Sequence, residues 1–180
     1  SGSIGRPFFG RVSFRSAFDV YAAQPYLATG ERFIIEDLGI HALDVARYLF
    51  GDVSGVTARI ARVNPAIRGE DVATMMLDHA SGVTSIVDCS YATRLAEEHF
   101  PETLIEIDGA EGTIRLDAGY RLTVTTAAGS RVEFHRNGYL SFCDQAGAAG
   151  TYVTRSRRST SCRPNSRVAF DEEGYLEYCS

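Results

Sequence analysis

The sequence predicts an α+β fold: an open, mostly antiparallel sheet of six to eight strands with helical cover on one face. Three observations carry this expectation. The apolar period changes from 3.6 to 2 just after residue 50. Short turns containing Gly, Ala or Ser separate the alternating segments, as hairpins require. Only one segment, residues 36–50, carries a strong helical stripe.

The chain has 180 residues, enough for one sizeable domain. A domain of that size buries roughly 70% of its unfolded surface and needs no staples to fold. A composition of 44% hydrophobic and 23% charged residues excludes wholesale disorder and a coiled coil. No apolar run approaches the roughly 20 residues of a membrane helix. A net charge of −5 argues against a general nucleic-acid binder. Cys89, Cys143, Cys162 and Cys179 are widely spaced and form no C-x-x-C pair. Neither a zinc site nor a dense disulfide framework is expected, and a reducing cytoplasm is the expected compartment. All 18 basic residues are arginine, so a mechanism that needs lysine is incomplete here. The only methionines are Met75 and Met76, and the opening Ser1-Gly2-Ser3-Ile4-Gly5 has no signal-peptide character. The chain reads as a piece of something longer.

Taken in order, Phe8, Val12 and Phe14 share one parity and predict a strand over 8–14. Residues 19–35 read as a long connection, of the kind that is often functional. In the helix over 36–50, Leu38, Ala42, Val45 and Leu49 form the apolar stripe, and Gly51 can stop it in a left-handed conformation. Alternation then predicts strands around 56–60, 71–77, 83–91, 104–108, 113–117, 122–124 and 132–134. Turns are expected at Ser81-Gly82, Gly109–Gly112, Ala118-Gly119 and Ala128–Ser130. The apolar face should carry the helix. The other face, rich in Thr, Arg, Glu and Asp, suits solvent or a polar subunit interface.

From Gly138 the periodicity weakens, and three of the four cysteines lie beyond it. Residues 138–180 therefore form an off-pattern tail. Exclusive arginine points to GC-rich coding DNA, which read out of frame yields Arg, Ser, Ala, Gly, Pro and Cys, much like this tail. It is expected to be a divergent or frameshifted terminus.

Several segments together resemble the second domain of the glucose–fructose oxidoreductase, inositol dehydrogenase and MocA family. Gly2-Ser3-Ile4-Gly5-Arg6-Pro7 resembles the start of that domain. Glu36-Asp37-Leu38-Gly39-Ile40-His41-Ala42-Leu43-Asp44 fits its helix motif D-x-G-x-H-x-x-D. Leu49–Val53, Glu70–Ala73 and Ile107–Ile114 are similar to the segments that follow. The likeness covers residues 1–137 and implies a dihydrodipicolinate-reductase-like C-terminal domain that binds substrate and assembles. Family members pair it with a Rossmann domain that holds NAD or NADP and supplies a lysine from an E-K-P motif. This chain has no G-x-G-x-x-G, no E-K-P and no lysine. The resemblance thus implies NAD or NADP in the complete two-domain protein, no cofactor-binding residues or metal in this chain, and inactivity of the chain alone. It implies a sugar, polyol or related hydroxy substrate, the Rossmann domain in cis, and a homo-oligomer formed through the sheet.

Asp37 and His41 lie four residues apart, a spacing that brings carboxylate and imidazole one helical turn apart. A dehydrogenase needs a base for the hydroxyl proton while hydride leaves the carbon, and histidine titrates in the right range. The resemblance makes these two the catalytic residues. The competing reading is a structural Asp37–His41 ion pair on a non-catalytic oligomerisation or protein-binding module. Asp44 fits the same motif, either touching substrate or bonding a neighbouring loop. Tyr26, in the connection before the helix, is a second substrate-binding candidate beside ordinary loop packing. His79, His99 and His135 fall at turns or strand ends, and Glu97-Glu98-His99 reads as a solvated turn rather than a metal cluster. Gly109–Gly112 joins two strands and is no phosphate loop. The Arg155–Arg163 run reads as a solvated tail.

Overall fold

Strand β1, Pro7–Arg15, sends Val12 and Phe14 to one side and Arg11, Ser13 and Arg15 partway or fully to the other. That alternation places it in a computed structural model that describes residues 4–127, 131–134, 140–144, 150–153, 159–162, 167–173 and 175–179. The chain packs as two units, Pro7–Ile107 and Ser1–Arg6 with Asp108–Ser180. These are divisions of packing, whereas the 137/138 boundary expected above is one of sequence pattern.

In the first unit, β1 is followed by the single-turn helix α1, Tyr26–Thr29, a π-helical turn, Ile35–Gly39, and helix α2, Ile40–Phe50. Strands β2 (Val53–Ala61), β3 (Val72–His79), β4 (Thr84–Ser90) and the start of β5 (Leu104–Gly109) follow. The strand order is β5-β1-β4-β3-β2. β2–β3 and β3–β4 are the antiparallel pairs that the short turns predict. β1 pairs with β4 in parallel, Val12 opposite Val87, so the sheet, mostly antiparallel as expected, carries a parallel pair. The segment between β1 and β4 contains both helices, and a long connection of this kind is what permits a parallel pair.

The helix covers one face of this sheet. Ile34, Ala42, Ala46 and Phe50 join Val12, Ala73, Met75, Leu77, Val87 and Cys89 in one core. Of the expected stripe, Ala42 is buried and Leu38 and Val45 pack partly buried against this core, whereas Leu49 is exposed and the fully buried positions fall one residue later, at Ala46 and Phe50. Buried positions run Ile34, Gly39, Ala42, Ala46, Phe50, and the first step of five is the π turn. That extra residue leaves Leu49 exposed. Phe50 seats over Gly10 of β1, where any added Cβ would overlap its ring. Gly10→Val should therefore cost roughly 1–3 kcal/mol by overpacking, read as a lower denaturation midpoint with unchanged slope.

Gly51 ends α2 at φ +91°, donating its N–H to the Arg47 carbonyl at 2.9 Å. His79, expected at a strand end, is there but buried, at 4% exposure. Its Nδ1 bonds the Gly51 carbonyl at 2.9 Å and its Nε2 meets Ser85 Oγ at 2.8 Å. The carbonyl can only accept, so Nδ1 carries a proton.

On the opposite face Asp88, only 3% exposed, accepts from Ser13 Oγ at 2.7 Å and Arg15 Nε at 2.6 Å, with Arg11 Nε at 3.4 Å. Thr74 and Met76 extend this face outward.

The second unit contains β6 (Gly112–Asp117), β7 (Arg121–Thr126), β8 (Arg131–Phe134), β9 (Leu140–Asp144), β12 (Arg167–Phe170) and β13 (Leu176–Cys179), in the order β13-β12-β9-β8-β7-β6. A separate hairpin pairs β10 (Gly150–Val153) with β11 (Ser159–Cys162). The described residues thus form thirteen strands rather than six to eight. The additional ones lie mostly in the tail, where four- and five-residue strands are too short to show a period. There Cys162, Val168, Phe170 and Leu176 form a small core, and Cys162 is disulfide-bonded to Cys179. This bridge is a pairing that the cysteine spacing did not suggest. Ala128–Ser130, His135 and residues 155–158 and 163 of the arginine run lie outside the described residues.

Candidate active site

Three connected segments frame the N-terminal end of the helix. Glu70 and Asp71 fix two of them. Glu70 Oε1 accepts from Ile35 N at 3.4 Å while its carbonyl accepts from Ile34 N at 3.0 Å. Both bonds serve N–H groups at the start of the π turn, which have no partner within the helix. Asp71, 1% exposed, accepts from the backbone N–H of Val63 at 2.7 Å and of Asn64 at 2.9 Å. The third segment, the loop after β4, is tied by Glu98. This carboxylate accepts from Ala17, His99 and Phe100 N–H groups.

Glu97-Glu98-His99 is thus a loop anchor as well as an exposed turn. His99 faces Glu102 at 3.9 Å. Among the described residues no group of three or more His, Cys, Asp or Glu is placed to hold a metal. The Ala17 N–H first, and the other backbone donors with it, lower the Glu98 pKa. A carboxyl depressed by folding stabilises above its unfolded pKa, and this is lost as pH falls through the folded value. Acidification below the ordinary glutamate range should therefore speed hydrogen exchange at Ala17 and Phe100 N–H before the core strands respond. Unchanged exchange at these two amides would show the anchor to be idle.

Asp37 is half-buried in the π turn. Its Oδ2 accepts from the Tyr91 hydroxyl at 3.2 Å. With Tyr26 it lines a recess of about 270 Å³ that also touches Arg32, Phe33 and Glu36. Two of the four sequence-derived site residues therefore share one recess. Tyr26 itself is exposed and donates to Gln24 Oε1.

His41 is exposed on the first turn of α2 and makes no side-chain hydrogen bond or ion pair among the described residues. The expected mutual contact of Asp37 and His41 is not formed. The change from π to α winding between them breaks the regular one-turn alignment, and Tyr91 takes the carboxylate instead. Asp44 is exposed beside Arg47 and Tyr48, again without a side-chain partner among the described residues, so the expected loop contact is absent.

A larger recess of about 520 Å³ is walled by Phe18, Asp19, Tyr21, Asn64, Tyr91 and Arg94. Burial pushes the Tyr21 phenol up. Its lining combines aromatic rings with hydroxylated and charged groups and suits a small polar ligand with apolar faces. Sequence reasoning missed Tyr21, Tyr91 and Arg94. Tyr91 shares the parity of Val87 and Cys89 and so reads as core. The polar Thr93-Arg94 that follows it at the strand end was the available signal.

Comparison with known proteins gives a consistent result. A family model described as GFO/IDH/MocA C-terminal domain matches residues 1–115. A D-apiose dehydrogenase of Rhizobium rhizogenes is 67% identical over 132 residues, covering 73% of this chain and 38% of that protein. A D-apiose dehydrogenase of Paraburkholderia graminis is 67% identical over 130 residues, 72% of this chain and 35% of its own length. The chain thus spans little more than a third of these relatives. Among solved structures, an oxidoreductase from Agrobacterium radiobacter in complex with NAD+, L-tartaric acid and magnesium is 69% identical. It superposes with a TM-score of 0.69 over 71% of this chain and 37% of that one. A levoglucosan dehydrogenase in complex with NADH and levoglucosan shares the fold at 23% identity and TM-score 0.58, over 71% of this chain and 37% of its own.

Proposed function

Because the chain belongs to the GFO/IDH/MocA family as its C-terminal domain, we propose that it is the substrate domain of an NAD-dependent sugar dehydrogenase, with D-apiose or a similar small sugar as substrate. The observation that carries this is the 67% identity to D-apiose dehydrogenases over nearly three-quarters of the chain. The recess that Asp37 shares with Tyr26, and the aromatic and polar recess that Tyr91 lines, supply the sugar-binding surface.

The described residues of this chain do not fit the dinucleotide. Its pyrophosphate calls for a Gly-rich turn opening a helix after a strand, and no such unit is present among them. The Rossmann domain in cis is therefore the proposed holder of NAD, whose nicotinamide supplies the hydride acceptor. This chain supplies proton handling and orientation. His41, which makes no side-chain hydrogen bond among the described residues, takes the proton of the reacting hydroxyl. Asp37 accepts from a substrate hydroxyl and fixes the sugar's rotation. Tyr26 and Arg94 border the two recesses and bond the remaining hydroxyls. Against the competing reading of a non-catalytic module, Asp37 opens onto a recess and makes no ion pair with His41.

Assembly as a homo-oligomer is proposed through the sheet face that carries Arg11, Arg15, Asp88 and Met76. No helix among the described residues is long and apolar enough to cross a membrane, and the cytoplasm is the proposed compartment. Calorimetric titration tests the division of labour. The two-domain enzyme should bind NAD, while this chain alone should give no dissociation constant in the micromolar range. Micromolar NAD binding to the isolated chain would contradict it.

A further inference from the structure

We propose that Tyr91 is the positioning residue of Asp37: its hydroxyl fixes one carboxylate oxygen so that the other faces the substrate recess. This rests on the reading of Asp37 as a catalytic-site residue. Tyr91 Oη donates to Asp37 Oδ2 at 3.2 Å across 54 residues of sequence. Its ring is held on several sides. It stacks on Phe33 at 5.4 Å with an interplanar angle of 8°, and meets Phe14 edge-on at 5.7 Å. Phe100 lies 6.5 Å away. Turning the ring would unpack this aromatic cluster, so the hydroxyl has one place to point.

The connection to Asp37 is double. Phe33, on which Tyr91 stacks, also accepts the Asp37 N–H at its carbonyl, at 2.9 Å. The backbone and the side chain of Asp37 are therefore set by the same stacked pair. This matters because the Asp37 N–H keeps an ordinary i→i−4 bond within the turn, which fixes its backbone, while a helical backbone leaves the carboxylate's direction to a partner such as Tyr91. Asp37 Oδ1 makes no hydrogen bond among the described residues and is the oxygen left for substrate.

Burial first, then the charge of Asp37 and its hydrogen bond, and finally Cys89 and Tyr21, raise the Tyr91 phenol far above its ordinary range. It stays a donor at any working pH, and the oxygen it meets can only accept.

A double-mutant cycle in the NAD-loaded dehydrogenase that carries this domain tests the proposal. Tyr91→Phe keeps the ring stack and removes only the hydroxyl. It should lower kcat roughly tenfold, the size of one hydrogen bond to a charged group, with KM for NAD unchanged. In an Asp37→Ala background the same change should do less than about twofold, because the bond it removes is already gone. A tenfold loss in both backgrounds overturns the proposal and leaves the catalytic reading of Asp37 intact. Full activity of Asp37→Ala alone overturns that reading and the proposal with it. A bond-level measurement on the full chain needs no turnover. In Asp37→Asn, the Tyr91 Cζ resonance should move and titrate at lower pH, because a neighbouring negative charge is gone. An unmoved Tyr91 resonance overturns the proposal.

Discussion

Replacing His41 with alanine in the complete enzyme is expected to lower kcat by roughly 10²–10⁴-fold, or about 3–5 kcal/mol in the barrier. The imidazole lies on the first turn of α2, exposed, with no hydrogen bond or ion pair among the described residues to compete for its nitrogens. Its neighbours explain how it is aimed. Ala42 and Ala46 bury the adjacent face of the helix against β1 and β4, so the backbone under His41 is fixed although the ring is not. Cofactor affinity should change little, because His41 belongs to no nucleotide-binding unit. Asp44→Asn serves as the internal control and should do much less, since Asp44 lies beside Arg47 and Tyr48, further along α2 than His41 from the recess shared by Asp37 and Tyr26. Activity of His41→Ala within about threefold of the parent, well short of a general acid–base contribution, would show His41 to be a surface residue.

The largest stability effect is expected at Asp71. Its carboxylate is 1% exposed and holds two backbone N–H groups, Val63 at 2.7 Å and Asn64 at 2.9 Å. Asp71→Ala removes two charge-assisted bonds and leaves two donors without their acceptor, a cost of about 3 kcal/mol. The same loop lines the larger recess through Val63 and Asn64. The substitution should therefore raise KM for the sugar as well as lower the denaturation midpoint. Asp71→Asn preserves one acceptor oxygen and should lose roughly half as much. A stability change below about 0.5 kcal/mol for Asp71→Ala would show that the loop is held by other contacts.

Much of this architecture was legible because it depends on period and punctuation. The alternation of Ala73, Met75 and Leu77 with Thr74 and Met76 places the first set in the core and the second outside, as β3 shows. Gly51 ends the helix where the sequence puts the stop. The parallel β1–β4 pair was not legible, because strand partners separated by some seventy residues leave no local pattern. The π turn was hidden for a related reason. A stripe search at 3.6 residues per turn favours Leu49 over Phe50, and only the five-residue step from Ile34 to Gly39 shifts the buried face. Asp37 and His41 stood out through their spacing and, with Asp44, through their likeness to the family's helix motif, and Tyr26 through its place in a long connection. Tyr91 did not, since an aromatic residue in phase with a core strand carries no mark of the hydroxyl's partner 54 positions away. The tail's short strands lie below the length at which alternation can be counted, and reading its coding DNA in all three frames is the direct check on its origin.

The central claim is that Asp37 and His41 meet the sugar at its reacting carbon. The structure of the complete enzyme with NADH and the sugar tests it most directly. The account predicts the reacting hydroxyl within about 3.2 Å of a His41 ring nitrogen, with a second hydroxyl on Asp37 Oδ1. A sugar bound with its reacting carbon against other residues, and His41 in open solvent, would contradict it.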